Sequence, residues 1–313
     1  MSNILVTRKL PSSILSKLEP VGAVELYAEA GTMPHEELIA RAADKDALVC
    51  MLTDRIDRAV IDAASRLKVA ANVAVGYNNV DVAYAKSRGV IVTNTPDVLT
   101  ESVADFTWAL ILAVTRRLSE GERLVRRGGW KGWAFDFMLG TGLRGKQIGI
   151  VGFGRIGQAV AARAPAFGMR VAYSGRRDEG VPGAEHLSLD RLLNSSDVVS
   201  LHVPLAGDTR HLIDKRSIAR MKRSAYLINT SRGPVVDEEA LAWALQQHLL
   251  AGAALDVYEN EPAVHPDLLR LENVLLVPHL GSGTTETRLA MASLAVDNVV
   301  AVLSGRPPLT PVG

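Results

Sequence analysis

The stretches AYLINTSRGPVVDEEAL, GAALDVYENEP and VLLVPHLGSGTTE share a layout: an apolar run, then polar residues just beyond it. The first delivers Arg232, the second Asp256 and Glu261, the third His279. Taken singly each has a plain reading, since Arg and Glu in loops are usually surface charges. Together they set a guanidinium, a carboxylate and an imidazole at the ends of successive strand-like runs, groups suited to gripping an anion and moving a proton. In an open α/β sheet a ligand lies outside the carboxyl ends of the strands, so these side chains are expected to face one.

Upstream, IGIVGFGRIGQAV carries Gly152, Gly154 and Gly157 in G-x-G-x-x-G spacing, after an apolar strand and before a helical run. The first glycine permits a tight turn, the second lets the backbone approach a pyrophosphate, and the third lets helix and strand pack closely. The helix N-terminus then offers N–H groups to the anion. Such a loop is ordinarily followed, roughly twenty residues on, by an Asp or Glu that holds the adenosine ribose. Here VAYSGRRDEG supplies Ser174, then Gly175, Arg176 and Arg177. An Asp would accept from a ribose 2′-hydroxyl and repel a 2′-phosphate, whereas Ser can donate to that phosphate and two guanidinium forks match its charge. The expected cofactor is NADP(H). Arg155 and Ile156 join the expected phosphate loop, and Pro204 and Gly281 complete the expected cofactor-binding set.

These residues need a frame. NILVT, AVELY, ALVCM, VAANV and VIVTN are short β-rich runs alternating with helical patterns, which argues for a parallel sheet with crossover helices. A second series begins at QIGIVG and continues through RVAYS, DVVSLHV, AYLINT, GAALDV and VLLVP. Six strands in that order suit a doubly wound dinucleotide-binding domain. Between the series, TESVADFTWALILAVTRRLSEGERLVRRG reads as one long helix with Thr100 or Ser102 as N-cap, and TTETRLAMASLAVDNVVAVLSG as another. Both are read as connectors, because each lies where the strand pattern stops. The expected fold is α/β, with two Rossmann-like doubly wound parallel-sheet domains. Residues 1–98, completed by 288–313, form a discontinuous substrate-binding domain, and 99–287 the dinucleotide-binding domain.

Lys and Arg number 35 against 34 Asp and Glu in 313 residues, so no net field steers the chain toward nucleic acid or an anionic membrane. No apolar run approaches the ~20 residues that span a bilayer, and the start of the chain lacks the pattern of a signal peptide. The single cysteine, Cys50, has no partner for an internal disulfide and sits in an apolar run. A cytoplasmic protein acting on small molecules is the expectation.

Taken in order, GYNNVDVAYAKSRGVIVTNTP, VADFTWALILA, GFGRIGQAV, SLHVPL, INTSRGPVVDEEAL, ALDVYENEP and PHLGS give the chain, nearly end to end, a resemblance to the D-isomer-specific 2-hydroxyacid dehydrogenases. It looks most like their glyoxylate/hydroxypyruvate reductases. The resemblance implies that Arg232, Glu261 and His279 form a catalytic triad. Arg232 would bind the carboxylate of a 2-oxo acid and polarise its ketone. His279 would protonate the forming alkoxide, its imidazole titrating near ~6.5 when unperturbed, and Glu261 would orient the ring and stabilise its protonated form. The resemblance also implies that backbone N–H groups at Val75 and Gly76 receive the substrate carboxylate and that Met51, Leu52 and Thr53 line the pocket. It further implies that Trp130, or alternatively Trp133, reaches a partner subunit's site in a homodimer. Asp256 is read as a partner of the nicotinamide carboxamide, with Thr107 and the Asn229–Thr230 pair as further candidates, and His202 as lining the adenine side. No histidine or cysteine spacing suggests a metal. A longer sugar acid such as 2-ketogluconate is the alternative substrate, and a dinucleotide-sensing regulator the alternative class.

Overall fold

The computed structural model describes residues 1–313, which divide into two compact units: Met1–Leu99 with Thr284–Gly313, and Thr100–Gly283. In the first unit, β1 (Ser2–Val6), β2 (Gly22–Leu26), β3 (Ala47–Cys50), β4 (Val69–Asn72) and β5 (Ile91–Thr93) alternate with α1 (Ser12–Leu15), α2 (His35–Ala42), α3 (Arg58–Ala63) and α4 (Val82–Ser87). Strands β1 to β5 are parallel, in the order β5-β4-β3-β1-β2. Strands buried on both faces read as continuous apolar runs, and Leu5, Leu48, Cys50 and Ile61 form part of the core beneath the helices. Asp57 and Asp81 start α3 and α4 by accepting backbone N–H groups of the first turn.

In the second unit the chain runs through α5 (Thr100–Thr115), α6 (Leu118–Arg126), β6 (Gln147–Val151), α7 (Arg155–Arg163), β7 (Arg170–Ser174), β8 (Ala184–His186), α8 (Leu189–Ser195) and β9 (Val198–Leu201). It continues through α9 (Lys215–Arg220), β10 (Tyr226–Asn229), α10 (Glu238–Gln246), β11 (Gly252–Leu255) and β12 (Val274–Leu276). The sheet is parallel throughout, in the order β12-β11-β10-β9-β6-β7-β8. The strand order reverses between β6 and β9, so a crevice opens at the carboxyl end of β6, where the glycine loop begins.

The chain then returns to the first unit through α11 (Thr285–Leu303), which packs on β3 and β4, and ends in β13 (Pro311–Val312), antiparallel to β5. Buried Asn298 fixes this return: its Oδ1 accepts the N–H groups of Leu309 and Thr310, and its Nδ2 donates to Thr310 Oγ1. The Thr310 hydroxyl donates in turn to the Asn94 carbonyl.

The structure corrects three local expectations. The long helix after residue 100 is two helices, broken at Arg117, whose φ of 55° is left-handed. The carbonyl of Thr115 accepts the Thr141 N–H at 2.7 Å instead of continuing the helical ladder. Ser102 lies inside α5 and donates to the Gly281 carbonyl, so it is not an N-cap. The second sheet has a seventh strand, β8, whose three residues AEH carry no apolar run that would announce an edge strand. No helix is long and apolar enough to cross a membrane.

Candidate active site

The glycine loop leaves β6 with Gly152 at φ 91°, and a Cβ there would lie 2.7 Å from the His202 carbonyl carbon. At Gly157 a Cβ would lie 2.2 Å from the Gly152 oxygen, so the first turn of α7 packs directly on the loop. Gly154 is the N-cap, and Arg155 and Ile156 open the helix, whose first N–H groups have no partner within the helical ladder. A side chain at position 152 or 157 would fill this cradle, which fits the close backbone approach that a pyrophosphate requires. The His202 N–H closes the loop's other wall by donating to Val151, and its half-buried ring bonds Ser200 Oγ through Nε2 at 2.8 Å. Burial pushes that imidazole down to about 3, which keeps it neutral. The Pro204 carbonyl accepts from Thr209 Oγ1 and fixes the turn after β9.

Ser174 ends β7, and its carbonyl accepts the Gly152 N–H, which ties the ribose position to the phosphate loop. The two arginines beyond it differ. Arg177 is paired with Glu179 at 2.8 Å, whereas Arg176 is exposed and makes no ion pair within the chain. Asp178, the nearest acid, is turned back to the Tyr173 hydroxyl and the Gly180 N–H.

At the ends of β10, β11 and β12 the structure brings Arg232, Glu261 and His279 into one cluster. Nδ1 of His279 lies 2.9 Å from Oε2 of Glu261, and Oε1 of Glu261 accepts the Tyr258 N–H at 3.0 Å. Burial works to raise the Glu261 carboxyl. The bond to His279 and its charge, the Tyr258 N–H and the nearby Arg232 charge outweigh that and hold it below its usual range. Burial pulls the Arg232 guanidinium below its ordinary value while the Glu261 charge opposes the shift, and an arginine so placed stays protonated. Nη1 of Arg232 donates to the Ser231 carbonyl, and Asn229 Nδ2 donates to the Arg232 carbonyl. Next to it, Gly233 allows the closest approach in the site: a Cβ there would lie 1.8 Å from the Tyr258 carbonyl carbon.

Asp256 has a structural task that its residue type did not reveal. Its backbone carbonyl accepts the His279 N–H, and its two carboxylate oxygens accept those of Leu280 and Gly281 at 2.6 and 2.8 Å. Burial raises its carboxyl above the usual range, against the pull of those N–H groups. Asn229 likewise spends its side chain on Ser231 and Arg232, and Thr107 bonds Thr230 at 3.1 Å. The Asp256 and Asn229 arrangements depend on side chain-to-backbone bonds across loops, for which sequence offers only a weak signal: a short polar residue at a strand end.

The first unit holds Leu52, Val75 and Gly76. Asn94 Nδ2 donates to the Val75 carbonyl and Asn72 Nδ2 to the Gly76 carbonyl. Because C=O and N–H point oppositely across a trans peptide, the Gly76 N–H is turned away from Asn94. Leu52 lies in a loop whose Met51 N–H donates to buried Asp54. In the second unit Trp130 and Trp133 are 55% and 82% exposed.

Known proteins share this architecture. Residues 108–281 match the model of the D-isomer specific 2-hydroxyacid dehydrogenase NAD binding domain. The chain is 49% identical to a glyoxylate reductase of Korarchaeum cryptofilum, with 97% of this chain and 94% of that protein covered. It is 47% identical to one of Thermococcus onnurineus, with 98% and 94% covered. The crystal structure of the TT0316 protein from Thermus thermophilus superposes with a TM-score of 0.94 at 47% identity, covering 99% of this chain and 100% of that one. The NADPH-dependent glyoxylate/hydroxypyruvate reductase of Sinorhizobium meliloti, solved with NADP and malonate, does so at 0.90 and 38% identity, covering 100% and 97%. A parallel sheet with its glycine loop at the switch point and similarity along nearly the whole chain lead to one conclusion: this chain belongs to the D-isomer specific 2-hydroxyacid dehydrogenase family.

Proposed function

We propose that the protein reduces a small 2-oxo acid, glyoxylate or hydroxypyruvate, with NADPH to the 2-hydroxy acid, of D configuration where the new carbinol carbon is chiral. The observation that carries this reading is the 2.9 Å bond between His279 Nδ1 and Glu261 Oε2, which leaves Nε2 without a protein partner. A bound nicotinamide supplies the hydride. Arg232 binds the substrate carboxylate and polarises the ketone. His279 gives the proton at Nε2 to the developing alkoxide. Glu261 keeps the ring in the tautomer and orientation that this requires.

The preference for the 2′-phosphorylated cofactor rests on Ser174 and the unpaired Arg176, and is supported by the NADP-bound relative. Names of relatives favour glyoxylate over 2-ketogluconate. A steady-state panel of glyoxylate, hydroxypyruvate, pyruvate and 2-ketogluconate with each reduced cofactor tests the whole reading. The highest kcat/KM is expected for glyoxylate or hydroxypyruvate with NADPH, and a best rate with NADH or with 2-ketogluconate contradicts it.

We further infer a homodimer, since Trp130, Trp133, Phe135 and Leu139 expose apolar surface within ten residues. Sedimentation equilibrium giving the monomer mass at micromolar concentration would remove that inference. A cytoplasmic location accords with the lone buried thiol of Cys50 and with use of a reduced nicotinamide pool.

A further inference from the structure

Two carboxylates that take no direct part in the proposed chemistry face each other behind Glu261. The Glu259 N–H donates to Glu238 Oε1 at 2.7 Å, and the Glu238 N–H donates to Glu259 Oε1 at 3.0 Å. Glu238 opens α10 and is buried. The bond is reciprocal, so each acid caps the other's backbone.

The pair thus ties the peptide before Glu259 to the start of α10. The Tyr258–Glu259 peptide donates its N–H to Glu238, and Gly233 packs against it so closely that a Cβ would come within 2.4 Å of the Glu259 nitrogen. The N–H immediately before that unit, on Tyr258, is the one that holds Glu261 Oε1. Displacing the peptide would therefore move the donor that sets the Glu261 carboxylate, and with it the contact to His279.

We propose that Glu238 and Glu259 are positioning residues that hold the Tyr258–Glu259 peptide so that Glu261 meets His279. The charged neighbours of the pair are His211, 2.9 Å from Glu259 Oε2, Arg210 at 3.9 Å, and His265 beside Glu238. Those around Glu261 are His279 and Arg232, with Asp256 and Tyr258 behind them. The two carboxyls are shifted in opposite directions. Burial raises the Glu238 carboxyl, whereas for Glu259 the Glu238 N–H and the bond and charge of His211 outweigh burial and lower it.

The inference rests on the assignment of Glu261 and His279 as the reacting pair, and its test separates the two. The test uses the full-length enzyme with NADPH and glyoxylate. Glu259→Ala and Glu238→Met should each lower kcat by about tenfold or more and move the alkaline limb of kcat/KM to lower pH by about half a unit or more. KM for NADPH should stay within about twofold, because the glycine loop is untouched. Glu259→Gln keeps an acceptor for the Glu238 N–H and should restore both parental values; Glu259→Met serves if the alanine variant does not fold. Parental kcat and an unmoved limb in a folded Glu259→Ala or Glu259→Met variant overturn the proposal, as does a Glu259→Gln enzyme as impaired as the alanine variant. If Glu261→Gln also leaves the limb unmoved, the assignment of the reacting pair has failed rather than the positioning alone.

Discussion

Asp256 holds His279 by its backbone: the His279 N–H donates to the Asp256 carbonyl at 2.9 Å, and the next two N–H groups donate to the Asp256 carboxylate. The three bonds stabilise a left-handed residue, φ 55° at His279, that a non-glycine side chain seldom adopts. The imidazole is aimed by this loop as much as by Glu261.

Asp256→Ala should therefore cost both stability and turnover. Leaving the Leu280 and Gly281 N–H groups unpaired costs about 1–3 kcal/mol for each that stays buried. Thermal unfolding and steady-state kinetics on the same preparation check it, and a variant with parental kcat would mean that the loop holds itself.

Removing the proposed proton donor should be more selective. His279→Ala is expected to lower kcat by at least ~10², the range in which proton donation contributes, while NADPH binding measured by fluorescence titration stays parental. Near-normal turnover would exclude His279 as the donor.

Glu261 gives a pH signature. Its carboxyl is held below the usual range by the bond and charge of His279, so it is ionised across the working range. In Glu261→Gln that carboxylate charge is gone, and the alkaline limb of kcat/KM should move to lower pH. The opposite displacement would show that the carboxylate does not stabilise the acid form.

Between the two arginines after β7, only Arg176 is free of an ion pair in the chain, since Arg177 is committed to Glu179. Arg176→Ala should raise KM for NADPH on the order of tenfold or more and leave KM for NADH little changed, while Arg177→Ala should have the smaller effect. Adding Ser174→Asp to Arg176→Ala should reverse the preference. Equal losses with both cofactors would identify the basic pair as a solvated turn.

In the first unit, Asp54 is buried with Oδ2 bonded to Thr7 and Met51 and Oδ1 without a partner, and burial raises its carboxyl. With the folded-state value above the unfolded one, the folded chain keeps its proton longer, and this group's contribution to stability falls as pH rises from about 4 through the raised value. Asp54→Asn removes that dependence, so its stability relative to the parent should improve between pH 4.5 and 7. Chemical denaturation at both values checks the sign.

Much of this site was legible in residue order. Alternation of apolar runs with helical patterns carries the parallel sheets, because strands buried on both faces leave little room for polar residues. Spacing alone placed Gly152, Gly154 and Gly157 on a strand-to-helix turn, where a Cβ at Gly152 or Gly157 would strike the surrounding backbone. The same order set Arg232, Glu261 and His279 beyond three successive strands.

Other features depended on contacts between residues far apart in the chain. Arg176 and Arg177 are alike in sequence, and only the fold pairs the second with Glu179. The break at Arg117 follows from Thr141 taking a carbonyl that helix propensity would have kept. Sequence reads Asp256 as a cofactor ligand, and the tertiary structure adds a bond from the loop of His279 to each of its oxygens. Sequence determined which chemical groups stand at the strand ends, because strand periodicity is local. Which of them bond each other was decided by loop geometry, where a short polar side chain can satisfy its own backbone or a distant one with similar energy.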